Sequence, residues 1–185
     1  MTTETEALRS RIAAALTEAR NRTLALTDAV GESELITQHS PLMSPLVWDF
    51  AHIGNQEELW LVRDVGGRDA VRADIDEMYD AFQNPRADRP RLPLLRPDEA
   101  RDYTRVVRDK VFDILDTNRL TGNRLVAEGF AFGMIAQHEQ QHDETMLATH
   151  QLRAGPAVLT APPPPPPATA VDAEVLIPGG SFTMG

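Results

Sequence analysis

His138 and His142 stand one helical turn apart in the run Ala136-Gln137-His138-Glu139-Gln140-Gln141-His142-Asp143-Glu144, and this pair constrains the fold more than any other feature of the chain. A spacing of four points both imidazoles to one side of a helix. Phe132, Ile135 and Met146 fall within one or two turns on that side, so the rings face inward with the apolar stripe. An unpaired polar ring in an interior costs on the order of 1–3 kcal/mol. Two such rings need a common partner, and a metal ion suits two neutral imidazole nitrogens. The fold must therefore set a second element across from this helix.

The chain has five histidines. One of them, His52, lies on another amphipathic stretch and faces inward, with Trp48 and Asp49 a turn before it and Gln56 a turn after. It is the predicted third ligand. Asp49 is expected to accept its free ring N–H, the arrangement that fixes a ligand's tautomer. Three histidines with open coordination positions describe a reactive metal, not a structural one. Glu144 lies about 200° around the helix from His142, and Glu139 about 100° from His138, so neither carboxylate is expected to reach the same ion. Gln141 borders the histidine face and is predicted to support the site or touch a substrate. His39 reads as loop surface and His150 as lying beyond the site.

Helical periodicity runs through residues 5–30, closing at Gly31; through a helix opened by Ser44-Pro45 and stopped by Gly66-Gly67; from Pro97 to about Gly122; and from Arg124 to about Arg153 before Gly155-Pro156. The span between the second and third helices is irregular, with one short helical piece expected at 76–82 and then the proline-studded stretch 84–93. Its length suits a bundle crossover or a functional loop. The predicted fold class is thus all-α, a four-helix bundle with a long crossover loop, occupying residues 1–155. Arg86, Arg89 and Arg91 form a stiff cationic lip between prolines, and their planar forks suit carboxylates.

After residue 155 the composition shifts to alanine, threonine and proline, with six consecutive prolines from Pro162 to Pro167. Such a run favours polyproline II and acts as a spacer, so 156–174 reads as a linker. Residues 175–185 read as a strand, a turn and a second strand, the opening of a truncated second domain.

The formal net charge of -10, with no local Lys/Arg cluster on a predicted helix, argues against nucleic acid and anionic lipid as partners. No segment approaches the roughly 20 apolar residues of a membrane span, and the polar start, Met1 to Glu6, has no apolar signal core. The expected location is the cytoplasm. The absence of cysteine excludes disulfides, thiolate metal sites and a cysteine nucleophile. Sulfur, if it takes part, comes with a substrate.

Together, the Ser44-Pro45-Leu46-Val47-Trp48-Asp49-Phe50-Ala51-His52 segment, Arg86-x-x-Arg89, His138-x3-His142-x-Glu144 and Ile177-Pro178-Gly179-Gly180-x-Phe182-x-Met184-Gly185 resemble the ergothioneine-biosynthesis sulfoxide synthases of the actinobacterial type. That family joins an N-terminal DinB-like helical bundle to a formylglycine-generating-enzyme-like domain. The resemblance implies a non-haem Fe(II) held by His52, His138 and His142. It implies oxygen-dependent C–S bond formation between γ-glutamylcysteine and the imidazole C2 of hercynine, giving a sulfoxide. Arg86 and Arg89 would bind the thiol's carboxylates, with Gln141 beside hercynine. The family's tyrosine near the iron, and most contacts to the trimethylammonium group, belong to the second domain. No catalytic side chain is therefore assigned within these 185 residues, and the chain is expected to bind iron without turning over. Two other functions fit the same residues: a DinB-like, divalent-metal-dependent thiol transferase or isomerase, and a helical interaction module with structural histidines.

Overall fold

In the computed structural model, which describes residues 3–167 and 174–183, four long helices carry the fold, and no strand occurs among the described residues. Helix α1 spans Thr3–Thr27 and buries Ile12, Leu16, Ala19 and Leu26 at helical spacing. It ends before the predicted 30, and Gly31 instead caps the start of a single turn, α2 (Glu32–Leu35). Helix α3 (Leu46–Glu57) begins after Pro45 and is buried almost all round. It continues without a break as a π-helical extension, Glu58–Val65, whose wider turns the periodicity did not reveal. Helix α4 (Pro97–Thr117) opens on a proline in its first turn, with Glu99 accepting the Arg96 backbone N–H at 2.9 Å.

Helix α5 is Phe130–Leu152, six residues shorter at its start than predicted. The preceding chain turns through Leu120 and Glu128, both at positive φ, and a 3-10 turn at Ala127–Gly129. Gly129 is required here: its φ is +75°, and a Cβ would lie 2.4 Å from Ile12 Cδ1. Gly54 serves a different need, since a Cβ there would lie 2.6 Å from Thr104 Cγ2, and its absence lets α3 approach α4 closely. Helix α1 lies along α5, and α3 packs on both α4 and α5. Trp48, Leu61, Val107, Leu115, Phe132 and Met146 are among the fully buried side chains between them.

The long connection after Gly66 is irregular as expected, but the helical piece expected at 76–82 is replaced by a 3-10 turn at Ala73–Ile75 and further turns. Most of the described residues after Leu152 are exposed. Residues 174–183 hold no strand, and Leu176, Ile177 and Phe182 are exposed, so the expected hairpin does not form in the part described; Met184 and Gly185 lie outside the described residues. A two-stranded hairpin without a packing surface has little to stabilise it.

One buried residue from each long helix enters a charge cluster at the centre. Arg20 of α1 pairs with Glu139 of α5 at 2.6 Å and with Glu57 of α3 at 2.8 Å. Arg108 of α4 pairs with Glu139 at 2.7 Å and also with Glu57. The two arginines further donate to the carbonyls of Thr104 and Leu16. Burial alone would raise the pKa of Glu139, but Arg20 and Arg108 hold it below the usual carboxylate range. Thr23 Oγ1 lies 2.9 Å from Glu139 Oε1 and 2.8 Å from Asp143 Oδ1. Its one proton serves one of them; with Asp143 protonated, Asp143 donates to Thr23 and Thr23 to Glu139. Burial and the neighbouring Glu139 push Asp143 up to about 6, consistent with that direction.

Removing one partner from such a cluster strands a buried charge. Glu139→Ala is expected to lower the unfolding free energy by about 3–5 kcal/mol in urea titration, far more than an exposed pair such as Arg22–Glu18, worth about 0–1 kcal/mol.

Candidate metal centre

Three imidazoles from two helices converge: His52 of α3, and His138 and His142 of α5. One ring nitrogen of each lies within 4.8 Å of the others. The ring centroids are 5.1 Å apart for His52–His138 and 4.7 Å for each of the other two pairs. No other group of three or more potential ligands comes together among the described residues. The predicted triad is thus assembled in space.

The hydrogen bonds behind the rings decide which nitrogen is offered. His52 Nδ1 lies 2.7 Å from the Tyr79 carbonyl oxygen. A carbonyl only accepts, so Nδ1 carries the proton and Nε2 keeps its lone pair. His142 Nδ1 donates in the same way to Asp49 Oδ1 at 3.0 Å, leaving its Nε2 free. This corrects the expectation that Asp49 would serve His52: Asp49 reaches across to α5, and the loop carbonyl of Tyr79 serves His52 instead. Asp49 is fully buried, and its second oxygen has no hydrogen-bond partner, so a negative group sits directly behind one ligand. Such a group complements a cation held in front of the ring.

Burial, the His142 ring and the His138 ring hold His52 down to about 3, against the hydrogen bond it donates to the Tyr79 carbonyl. Burial and the His142 ring hold His138 down to about 4. Both rings are therefore neutral near pH 7, the form a metal requires. The donor set fits a divalent transition ion: three imidazoles, two of them with a hydrogen bond that fixes the tautomer, and a carboxylate behind. His138 and His142 are half-buried and keep an edge in solvent, which leaves room for ligands from outside.

Trp48 stacks on His52, with centroids 4.7 Å apart and planes 12° apart. Arg89 lies over the same indole at 3.4 Å from its centroid. The proline-flanked arginines thus separate. Arg89 is buried, donating to Asn84 O at 2.9 Å and to Ser44 Oγ at 2.6 Å, while Arg86 is exposed and donates to Leu42 O at 3.1 Å. Ser44, expected to cap α3, spends its hydroxyl on Arg89. Arg91 is exposed and pairs with Asp88.

Gln141 is exposed on α5. Glu139 is turned into the charge cluster and Glu144 is exposed, so neither faces the triad, as the helix phase predicted. His150 donates to Leu26 O of α1 at 2.9 Å, away from the site, and His39 lies against Glu34 O beside α2. The Tyr79 carbonyl and the Trp48 stack were not anticipated. The indole one turn before His52 was the available signal for the stack; the Tyr79 carbonyl left none.

An all-helical fold whose paired helices present three histidines defines a class, and the chain belongs to the DinB superfamily, whose family model matches residues 15–146. Among curated proteins it is similar to hercynine oxygenases. That of Mycolicibacterium smegmatis is 47% identical over 182 residues, covering 96% of this chain and 41% of the relative. That of Mycolicibacterium thermoresistibile is 50% identical over 153 residues, covering 82% of this chain and 33% of the relative. That of Mycobacterium tuberculosis is 46% identical over 153 residues, covering 82% and 35%. The chain spans well under half the length of each relative. No described helix is long and apolar enough to cross a membrane.

Two outcomes are expected of this geometry. Asp49→Asn keeps the shape but removes the negative charge behind His142, and should weaken divalent-metal affinity about 10–100-fold in competition titrations. In the metal-free protein, His52 and His138 protonate near 6.5 when unfolded but stay neutral to about 3 and 4 when folded, so their contribution is complete above pH 6.5 and is lost as pH falls. Asp143 acts oppositely between about 6 and its unfolded value of 3.8, where the folded state keeps its proton. The two histidines outweigh the one carboxyl, so these groups together favour a fall in stability between roughly pH 6 and 4. Urea unfolding across this range measures it, and a flat profile refutes it.

Proposed function

We propose that this chain is the metal-binding part of a hercynine oxygenase, an iron(II)- and dioxygen-dependent oxidoreductase of ergothioneine biosynthesis. The observation that carries the proposal is the set of three imidazoles that bring one ring nitrogen each within 4.8 Å of the others, in a chain 46–50% identical to proteins of that name. Its substrates are hercynine, γ-glutamylcysteine and dioxygen. The reaction joins the thiol sulfur to the imidazole C2. The thiol and C2 hydrogens leave in water with one oxygen atom, and the other oxygen ends on sulfur.

His52, His138 and His142 would hold the ion, and His52 and His142 offer Nε2 because Tyr79 O and Asp49 engage their other nitrogens. When bound, iron(II) supplies the redox chemistry that couples dioxygen to bond formation. Neutral ligands leave the ion its full positive charge, which favours a coordinated thiolate. The exposed fork of Arg86, and whatever Arg89 retains beyond its internal bonds, suit the carboxylates of the thiol substrate. Gln141, on the exposed side of α5, would lie beside hercynine. The remaining contacts to hercynine belong, in this proposal, to the formylglycine-generating-enzyme-like domain whose opening the sequence suggests at 175–185.

Anaerobic titration tests the reading. The chain is expected to take up about one equivalent of Fe(II), and His142→Ala to lose it. Retention of zinc in preference to iron, with no dioxygen consumed when thiol is added, would favour a thiol transferase or isomerase. If His142→Ala leaves metal content unchanged but lowers the melting temperature, the histidines are structural.

A further inference from the structure

The arrangement around His52 gives Arg89 a task distinct from binding substrate. Its guanidinium sits 3.4 Å over the Trp48 indole, and Trp48 stacks on His52. Its Nη1 donates to Ser44 Oγ, just before α3, and its Nε to the carbonyl of Asn84. Asn84 in turn donates its side-chain amide to the carbonyls of Glu77, Met78 and Asp80, closing the loop around Tyr79. The Tyr79 carbonyl is what His52 Nδ1 bonds, and the Met78 carbonyl accepts from Trp48 Nε1 at 3.3 Å. One side chain therefore braces both supports of the same imidazole, the ring stacked on it and the carbonyl that fixes its tautomer.

We infer that Arg89 is a positioning residue of the metal centre, acting on His52 through Trp48 and through the Asn84-closed loop that presents the Tyr79 carbonyl. A planar, delocalised fork is needed, because the same group stacks on an indole while donating in two directions. Lysine keeps the charge and cannot do both. The inference depends on His52 being a ligand, as proposed above.

Co(II) serves as the probe, since its visible bands report ligand geometry and its titration reports affinity, neither needing turnover. Arg89→Lys is expected to weaken Co(II) binding about tenfold, as loss of a ligand's outer support does, and to shift the visible bands. Ser44→Ala, which removes a single hydrogen bond and keeps the fold, is expected to change both in the same direction by less. Arg91→Lys, on the exposed part of the same loop, is the control and should leave both unchanged. Wild-type affinity and bands in both Arg89→Lys and Ser44→Ala would overturn the inference. If Arg89→Lys does not fold, Ser44→Ala decides alone. Failure of the wild-type chain to bind Co(II) at all would instead overturn the metal-centre reading on which the inference depends.

Discussion

Two arginines and two glutamates, one from each long helix, set the rotation of every helix that matters to the site. Glu139 immediately follows His138, and successive helical residues point about 100° apart. With Glu139 drawn to Arg20 and Arg108, the other side of α5 turns His138 and His142 toward α3. Glu57 does the same for α3, five residues after His52. Apolar packing tolerates small rotations, since one methyl can replace another, but a displaced buried charge loses several hydrogen bonds at once. The cluster thus specifies orientation where the surrounding apolar side chains supply cohesion.

Where α3 passes into its π-helical extension, neighbouring residues serve two networks. Glu57 enters the central cluster, while Glu58, also fully buried, accepts from Tyr103 Oη at 2.8 Å, pairs with Arg63 and receives the backbone N–H of Val71 at 2.9 Å. Arg63 and Asn55 both hold Asp76. Those bonds tie the start of the long connection to α3 and α4. The loop that returns as Tyr79 to His52 is therefore anchored on both sides.

The histidine triad was legible because on a helix the direction of a side chain follows from its position in sequence. That logic also excluded Glu139 and Glu144 correctly. It failed for Asp49, whose sequence neighbourhood with His52 says nothing about which facing helix it meets. The charge cluster was invisible for a related reason: Arg20, Glu57, Arg108 and Glu139 are far apart in sequence, and each alone reads as part of a solvated face. Arg89 was misread as rim because prolines flank it, yet the indole it covers lies some forty residues earlier. The late start of α5 depends on two non-glycine residues at positive φ, which periodicity does not register. For residues 175–185 the sequence suggested two strands, neither of which occurs among the described residues 174–183; strands need partners, and pattern alone does not provide them.

The half-open setting of the triad has a bearing on exchange. His52 is sealed behind Trp48, whereas His138 and His142 each keep an edge in solvent on one helix. Any ion held there would meet solvent on the α5 side, while His52 stays clamped behind Trp48 and His142 stays tied to Asp49. Loading and release would then proceed from that one side, past rings already held in place, and without parting the helices.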